Sequence, residues 1–356
     1  MEKKNDIRSG RMQLQLFATP EPVAKTTDTA AGGHDLSPEM KTYYEARLID
    51  NAEPFLIHDQ FGDRYPIPAH GGKTIEFRKF SPLDKALNGL TEGVTPTGNT
   101  LEVTAKTATV TQYGDYVTVS DVLDLTAIDR TLEQATKLLG SQAGRTLDTV
   151  TREVITAGTN VMYAPKADGT EVLLRKDLDK TCTLTPKLLF QAAARLSSMN
   201  ALPVDDSFVA IVHPNVACDL MVSPEWQDVH KYADPSAIYR GEIGKLANIR
   251  FVQSTEAKIL ASGDLKDAEG NPAGTADGSS VYMTMVIGAN AYGVTEVEGG
   301  GLTHIVKQLG SAGSSDPLNQ RATTGWKALK TAVRLVEENM VRIEHTSPTN
   351  LTAASN

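Results

Sequence analysis

The chain has 356 residues, 40% of them apolar and 22% charged, with a net charge of −9 at pH 7. That length is ample for a buried core and fits about two or three domains. The acidic balance, without any long run of lysine or arginine, leaves no footprint for a protein that works by gripping nucleic-acid phosphate. Two cysteines, Cys182 and Cys218, form neither a disulfide framework nor a zinc pattern. They read as two small buried residues in a reducing environment. No stretch of about 18 apolar residues would cross a membrane. The polar, charged start from Met1 to Met12 is unlike a secretory signal.

Residues 1–38 read as an extended arm. Pro20, Pro22, the run Thr26, Thr27 and Thr29, and Gly32-Gly33 all oppose regular structure. A small apolar cluster, Leu14, Leu16 and Phe17, interrupts it and would suit docking on another surface. Ser37-Pro38 opens a short docking helix ending near Pro54, because serine caps well and proline fits the first helical position. From Gly71 the period changes to two. Thr74 to Phe80 alternates through Ile75, Phe77 and Lys79, and Leu101 to Val119 is a second threonine- and valine-rich strand region. Between them, Ser81 to Thr100 carries Pro82, Gly89, Gly93, Pro96 and Gly98. A structureless excursion of that length is unusual inside a compact domain. Without a set of His, Cys or carboxylate groups it makes a poor active-site lid and a good arm for reaching over a neighbour.

Ser120-Asp121 caps a short helix through Ile128, and Asp129 a long one to about Ala157. Leu132, Ala135, Leu138, Leu139, Ala143, Leu147, Val150 and Val154 recur at spacings of three and four, which predicts one core-facing stripe on a rod roughly 40 Å long. Val161 to Leu174 reads as a hairpin around Asp168-Gly169. From Thr181 to about residue 305 the pattern becomes α/β. A helix starts at Thr185-Pro186, Phe208 to Val212 is a buried strand, His213-Pro214 starts a further helix, and Arg250 to Gln253 and Val281 to Ile287 are strands. Gly263 to Ser280 reads as a surface loop. Asp316 to Gly325 reads as a linker, followed by a strand from Trp326 with Leu329, Thr331, Val333 and Leu335 on one face. Glu337-Glu338-Asn339 turns the chain, and Met340 to Glu344 returns toward the earlier strand-and-helix unit. The tail from Thr346 is polar and reads as frayed.

Motifs that carry chemistry do not stand out. Gly71-Gly72-Lys73-Thr74 resembles the end of a phosphate loop, but Ile67 occupies the required glycine position. The seven histidines are scattered singly. Asp264, Asp267 and Glu269 lack the spacing of a calcium loop. Asp205-Asp206 reads as a turn, His213 as structural and Trp326 as a core anchor. The reading therefore assigns no catalytic, cofactor-binding or metal-binding residue.

The order of arm, strand-loop extension, long helix, α/β unit and terminal strands resembles the HK97-type capsid fold. Three stretches are similar to those of tailed-phage major capsid proteins: Phe208-Val209-Ala210-Ile211-Val212-His213-Pro214, Gly241 to Val252, and Asp316-Pro317-Leu318-Asn319-Gln320-Arg321 leading to Gly325-Trp326-Lys327. The last resembles the branch typified by the podophage N-four, and Met12-Gln13-Leu14-Gln15-Leu16-Phe17-Ala18 is similar to the start of phage structural proteins. The resemblance implies an α+β chain with an N-terminal arm at 1–38 and a docking helix and connection at 39–67. An extended E-loop would span 68–112. A peripheral domain would combine 113–180 and 316–346, with its spine helix at 129–157, and an axial α/β domain would span 181–315. Residues 347–356 would be a tail. It implies a non-enzymatic homo-oligomer, hexamers and pentamers in an icosahedral shell assembled in the host cytoplasm, enclosing double-stranded DNA without reading its sequence. Partners would be a separate scaffolding protein, since no room is left for a fused one, a portal protein and a decoration protein. Cross-linking through Lys79, Lys85 or Lys106 is not marked by anything around them. Two other readings stay open: an encapsulin-like compartment, and an α/β enzyme built on residues 181–305.

Overall fold

The computed structural model describes residues 56–67, 72–80, 98–126, 131–224, 226–227, 244–246, 248–265, 274–297, 300–311 and 316–356. It also describes Thr27–Asp28, Asp35–Leu36, Leu48 and single positions between 83 and 95. The expected arm and docking helix lie outside the described residues, with three exceptions. Strands β1 (Thr27–Asp28) and β2 (Asp35–Leu36) pair antiparallel. Leu48 is helical and fully buried.

A short strand, β3 (Asp63–Ile67), precedes the long hairpin of β4 (Thr74–Phe80) and β5 (Val103–Thr109), which run antiparallel from Thr74 opposite Thr109 to Phe80 opposite Val103. The second strand region does not continue as one strand. It breaks at Val110, whose amide turns back to the Lys73 carbonyl at 2.8 Å. Strand β6 (Thr111–Ser120) then joins another sheet. Ser120 Oγ accepts from Leu123 N at 3.3 Å and caps α1 (Asp121–Thr126). The long helix α2 (Thr131–Thr156) has 26 residues, about 39 Å of rod. Its buried stripe holds Ala135, Leu139, Ala143 and Leu147, as the periodicity requires, and ends on Ile155 where the spacing predicts Val154; Asp148, Thr151 and Arg152 are buried with them, while Leu132, Val150 and Val154 are half-buried. Leu138 falls off that stripe and is 72% exposed.

The remaining elements are β7 (Val161–Tyr163), α3 (Pro186–Ser198), β8 (Phe208–Val212), α4 (Pro214–Val222), β9 (Lys245–Leu246), β10 (Ile249–Gln253), β11 (Ile259–Leu260) and β12 (Val281–Ile287). They are followed by β13 (Tyr292–Val297), β14 (Thr303–Lys307), β15 (Arg321–Lys330), β16 (Ala332–Arg334) and β17 (Met340–His345). The main sheet runs β7-β17-β12-β8-β10-β9, with β11 on β12. Helices α3 and α4 cover one face through Leu188, Leu189, Leu196, Val216 and Leu220. The other face, with Val209, Ile211, Met285 and Ile287, meets Ile155 of α2 and Tyr292 and Val294 of β13. Both helices start as the sequence expects: Thr185 caps α3, and His213 Nδ1 accepts from Asn215 N at 3.2 Å at the start of α4. Smaller sheets are β16-β13-β3 and β14-β15-β6. The β14-β15-β6 sheet packs on α2 through Trp326 and Ala328 against Leu139, Ala143 and Leu147, with Leu48 in the same cluster.

Several expectations are corrected. The turn at Asp168-Gly169 forms, with Gly169 at φ +84 and Thr170 N donating to Asp168 Oδ1 at 2.9 Å. No hairpin follows, because β7 pairs in parallel with β17 instead. Val172 turns inward while Leu173 and Leu174 are 77% and 52% exposed. Strand β17 does not return to the helix-bearing sheet. It lies between β7 and β12 in the α/β sheet, where Glu344 is fully buried and gripped by Arg175 Nε and Nη2 at 2.6 Å each. Strand β15 starts five residues before Trp326, and its buried face is Thr324, Trp326, Ala328 and Lys330; Leu329, Thr331, Val333 and Leu335 are only half-buried. The end of the 263–280 segment is interior, since Thr275, Ser279 and Ser280 are buried. Cys182 is buried but Cys218 is exposed, and both are free thiols. The tail after Thr346 is fastened rather than frayed, with Ser347 fully buried and Leu351 O accepting from Ser280 N at 2.7 Å.

The placement of β17 has a measurable consequence. His345 is fully buried, with Nε2 2.9 Å from Thr284 Oγ1, and burial pulls its pKa from 6.5 down to about 4. Between those values the unfolded chain binds a proton that the folded chain refuses. The neutral imidazole's contribution is therefore full above pH 6.5 and is lost as the pH falls to about 4. Urea unfolding of the subunit at pH 7 and pH 4 should show a loss of about 3 kcal/mol from this group. His345→Gln should flatten that part of the pH dependence.

Candidate functional site

Two features stand out from the packed frame: a buried polar junction at the inner face of α2, and the hairpin that leaves the fold just beyond it. The junction is built by the segment before β3. His58 N donates to Asp148 Oδ1 at 2.7 Å, and His58 Nδ1 lies 2.6 Å from Asp148 Oδ2. Both residues are buried, at 1% and 0% exposed. One residue on, Asp59 accepts from Thr151 Oγ1 at 2.5 Å and pairs with Lys330 Nζ of β15. The Tyr292 hydroxyl of β13 donates to the His58 carbonyl. Burial, with Asp59 and Asp148 nearby, holds the Tyr292 phenol well above its ordinary pKa, so it remains a donor. Gly62 is the residue that lets this segment close. A Cβ there would stand 2.5 Å from Tyr292 Cε2 and 2.8 Å from Val294 Cγ2.

His, Asp, Thr, Lys and Tyr together have the composition of a catalytic centre, but the bonding fastens rather than poises them. Both oxygens of Asp148 are taken by His58, and those of Asp59 by Thr151 and Lys330. The junction ties the 57–59 segment, α2, β13 and β15 into one block.

Among the described residues, the hairpin is anchored to that block through Phe77 and Lys106. Phe77 is buried edge-on against Tyr65 of β3, ring centroids 4.8 Å apart at 90°. Both rings close over Gly293, where a Cβ would meet Tyr65 at 2.9 Å and Phe77 at 3.3 Å. Across the ladder from Phe77, Lys106 Nζ donates to the carbonyls of Arg334 and Leu335 at 3.1 and 3.2 Å. Further out the ribbon meets solvent. Arg78 and Glu76 form an exposed pair, and Leu83, Leu87, Leu101 and Val103 are 56%, 84%, 67% and 48% exposed. Seven paired residues at about 3.4 Å each give a ribbon of roughly 24 Å. A two-stranded ribbon with leucines in water is marginal alone and needs another surface to cover it. A second exposed apolar surface lies on the outer face of the β14-β15-β6 sheet, where Tyr116 stands over Gly325 and Ile305 flanks it on β14.

Residues singled out in the sequence lie apart from one another. His213 is a helix cap, and Trp326 is a buried anchor whose Nε1 donates to Gln142 at 3.3 Å. Asp205-Asp206 form the turn between Val204 and Ser207. Gly72, at φ +90, precedes β4 with open space around it. Asp264 accepts from Ser355 Oγ. Asp267 and Glu269 lie outside the described residues, as does the side chain of Lys79; Lys85 is exposed. Among the described residues no group of three or more His, Cys, Asp and Glu could hold a metal ion. No described helix is long and apolar enough to cross a membrane. A groove of about 670 Å³ runs beside β7 and α3, with Glu171, Lys187 and Arg195 in its wall. Arg195 there donates to the Val161 carbonyl at 3.1 Å. The junction pair was missed in the sequence because His58 is a lone histidine. The available signal was Asp148, a carboxylate beside the apolar stripe of α2.

The family model described as phage capsid protein matches residues 103–339. Among solved structures, the capsid of Cyanophage P-SCSP1u is similar with a TM-score of 0.59 at 16% identity, covering 81% of this chain and 87% of that one. The Cyanophage Pam1 capsid gives 0.58 at 13%, covering 84% and 92%. The acid-stable capsid of Helicobacter pylori bacteriophage KHP30 gives 0.57 at 12%, covering 80% and 88%. No curated protein matches in sequence.

Asp148→Asn should cost the isolated subunit about 3 kcal/mol, because one oxygen that accepted from His58 is replaced by a donor in a buried site. Arg78→Ala, at an exposed pair, should cost under about 0.5 kcal/mol. Urea midpoints of the two variants measure the contrast.

Proposed function

The chain belongs to the phage capsid protein family, and from that premise we propose how its parts serve the shell. It is a major capsid protein of the HK97-like fold, a structural component of the phage head. Its copies associate as hexamers and pentamers that close an icosahedral shell. The segment 68–112 is the E-loop and lies over an adjacent copy. Helix α2 is the spine of a peripheral domain that includes the β14-β15-β6 sheet. The α/β unit of about 181–315, without β14 and completed by β7 and β17, is the axial domain facing the centre of each capsomer. The stretch Asp316 to Arg321 leading into Trp326 supports the branch typified by the podophage N-four.

The observation that carries this reading is the hairpin. It is fixed at the base by Phe77 and Lys106 and bears exposed leucines beyond. A ribbon held this way, with exposed leucines beyond its strands, gains its stabilisation from a second surface, and in a closed homo-oligomer that surface is another copy. The net charge of −9 suits a wall that encloses double-stranded DNA without adhering to it. Assembly takes place in the host cytoplasm with a separate scaffolding protein, a portal at one vertex and a decoration protein on the outside.

Negative-stain microscopy of the purified protein should show closed shells or hexameric capsomers; a monomer or dimer under all conditions contradicts the reading. Leu83→Asp with Leu87→Asp should leave the unfolding free energy of the subunit in urea within about 0.5 kcal/mol of the unaltered chain. The same change should reduce the assembled fraction at least tenfold in sedimentation, about 1.4 kcal/mol of association free energy.

A further inference from the structure

The segment after β17 makes a series of bonds that runs from α4 past the start of β12 to β11. Thr349 Oγ1 donates to Asp219 Oδ1 of α4 at 2.6 Å, and Asn350 O accepts from the Tyr282 hydroxyl at 2.8 Å. Ala353 O accepts from Ser280 Oγ at 2.7 Å. Ser355 Oγ then accepts from Ala261 N at 2.8 Å, and Asn356 Oδ1 from Ile259 N at 2.9 Å, while Asn356 Nδ2 donates to Ala257 O at 2.8 Å. The segment thus bonds the side of β11 turned away from β12. It contributes one buried apolar side chain, Ala353, so its tie to the fold is directional rather than hydrophobic.

Its last step reaches the spine. Arg152 of α2 is 1% exposed. Its Nη2 donates to the Asn356 carbonyl at 2.9 Å and to Glu153 Oε1 at 2.8 Å, and its Nη1 donates to the Glu256 carbonyl at 2.8 Å. Around it, Arg145 pairs with Glu256 at 2.8 Å and Lys258 with Glu153 at 2.5 Å. One helical turn on, Arg342 of β17 donates to the Gly158 carbonyl at 3.0 Å and also to that of Thr156. The helix end is therefore pinned to the sheet by Arg342, and a second pin one turn earlier fixes its direction. Between the pins Ile155 packs on Val209 and Ile211. Apolar contact of that kind is non-directional and would tolerate rotation; hydrogen bonds at fixed angles do not.

We propose that residues 346–356 form a strap that fixes the angle between the spine helix and the α/β sheet. Arg152 is its clasp, and that angle sets the curvature of the shell. The inference rests on the shell reading. Copies in a closed assembly meet through surfaces carried on both the spine-bearing and the α/β units. The angle between those units in one copy therefore fixes the angle between neighbours, and a change of a few degrees alters the radius at which the shell closes. Arg152 and Asn356 are positioning residues, acting on the shell through the two units they join.

The test uses the full chain with Asn356→Ala, at an exposed position, and with Arg152→Gln. Three readouts are taken: thermal unfolding, amide hydrogen exchange, and particle diameter by electron microscopy. Asn356→Ala should leave the unfolding temperature nearly unchanged. It should speed exchange of the Ile259 amide about fivefold to tenfold, and broaden the diameter distribution of the particles. Arg152→Gln should broaden diameters further. Uniform particles of unaltered diameter from both variants overturn the proposal, as does unchanged exchange at Ile259 in Asn356→Ala. If the unaltered chain itself forms no particles, the shell reading fails and the curvature claim with it, while the exchange result still decides whether the strap is bonded to β11.

Discussion

Asp148 is a carboxylate with no exposed surface on the inner face of a helix, and its burial is sustained because His58 occupies both of its oxygens. An unpaired charge in that position would cost several kcal/mol. The 57–59 segment therefore cannot drift from α2 without leaving a buried carboxylate unpaired. Everything next to it inherits that constraint. The His58 carbonyl holds Tyr292 of β13, Asp59 holds Thr151 and Lys330, and Gly62 lets the chain pass under Tyr292 into β3. Strand β3 then presents Tyr65, the ring that receives Phe77 of the hairpin. A buried hydrogen-bonded pair, His58 and Asp148, thus sets where the hairpin leaves the molecule.

Rigidity and reach are distributed unequally along the chain. Among the described residues, the α/β sheet is covered on both faces and carries the largest apolar cluster, whereas the hairpin is held by Phe77 and Lys106. That inequality suits a subunit whose identity as a capsid protein requires a fixed body and an adaptable extension. Backbone bonds of an exposed ribbon open at low free-energy cost, so such an extension can settle on a neighbour during assembly. The strap belongs with the rigid part.

Much of this was legible in the residues. The period-two pattern from Thr74, the spacing of Leu139, Ala143 and Leu147, the Thr185-Pro186 cap and the apolar run Phe208 to Val212 all report local geometry, and each formed the expected element. What failed was long-range. Parallel pairing of Val161–Tyr163 with Arg342–Glu344 has no local signature, so the turn at Asp168-Gly169 predicts a hairpin that does not form. The strand from Met340 is expected beside the long helix, yet it lies inside the α/β sheet, where Arg175, Arg342 and Thr284 satisfy the buried Glu344 and His345. The polar tail looked frayed for the same reason: its partners, Asp219, Ser280 and Arg152, come from three distant segments. The family resemblance supplied the function, since none of the individual elements names one.

The most direct test of the central claim is a near-atomic electron cryomicroscopy map of the assembled particle. In it, the hairpin of each copy should lie across a neighbouring copy, with Leu83 and Leu87 in apolar contact there. The 57–59 segment should remain locked to α2 in every copy of the asymmetric unit. A hairpin folded back on its own subunit, or a 57–59 segment detached from the helix in some copies, would contradict it.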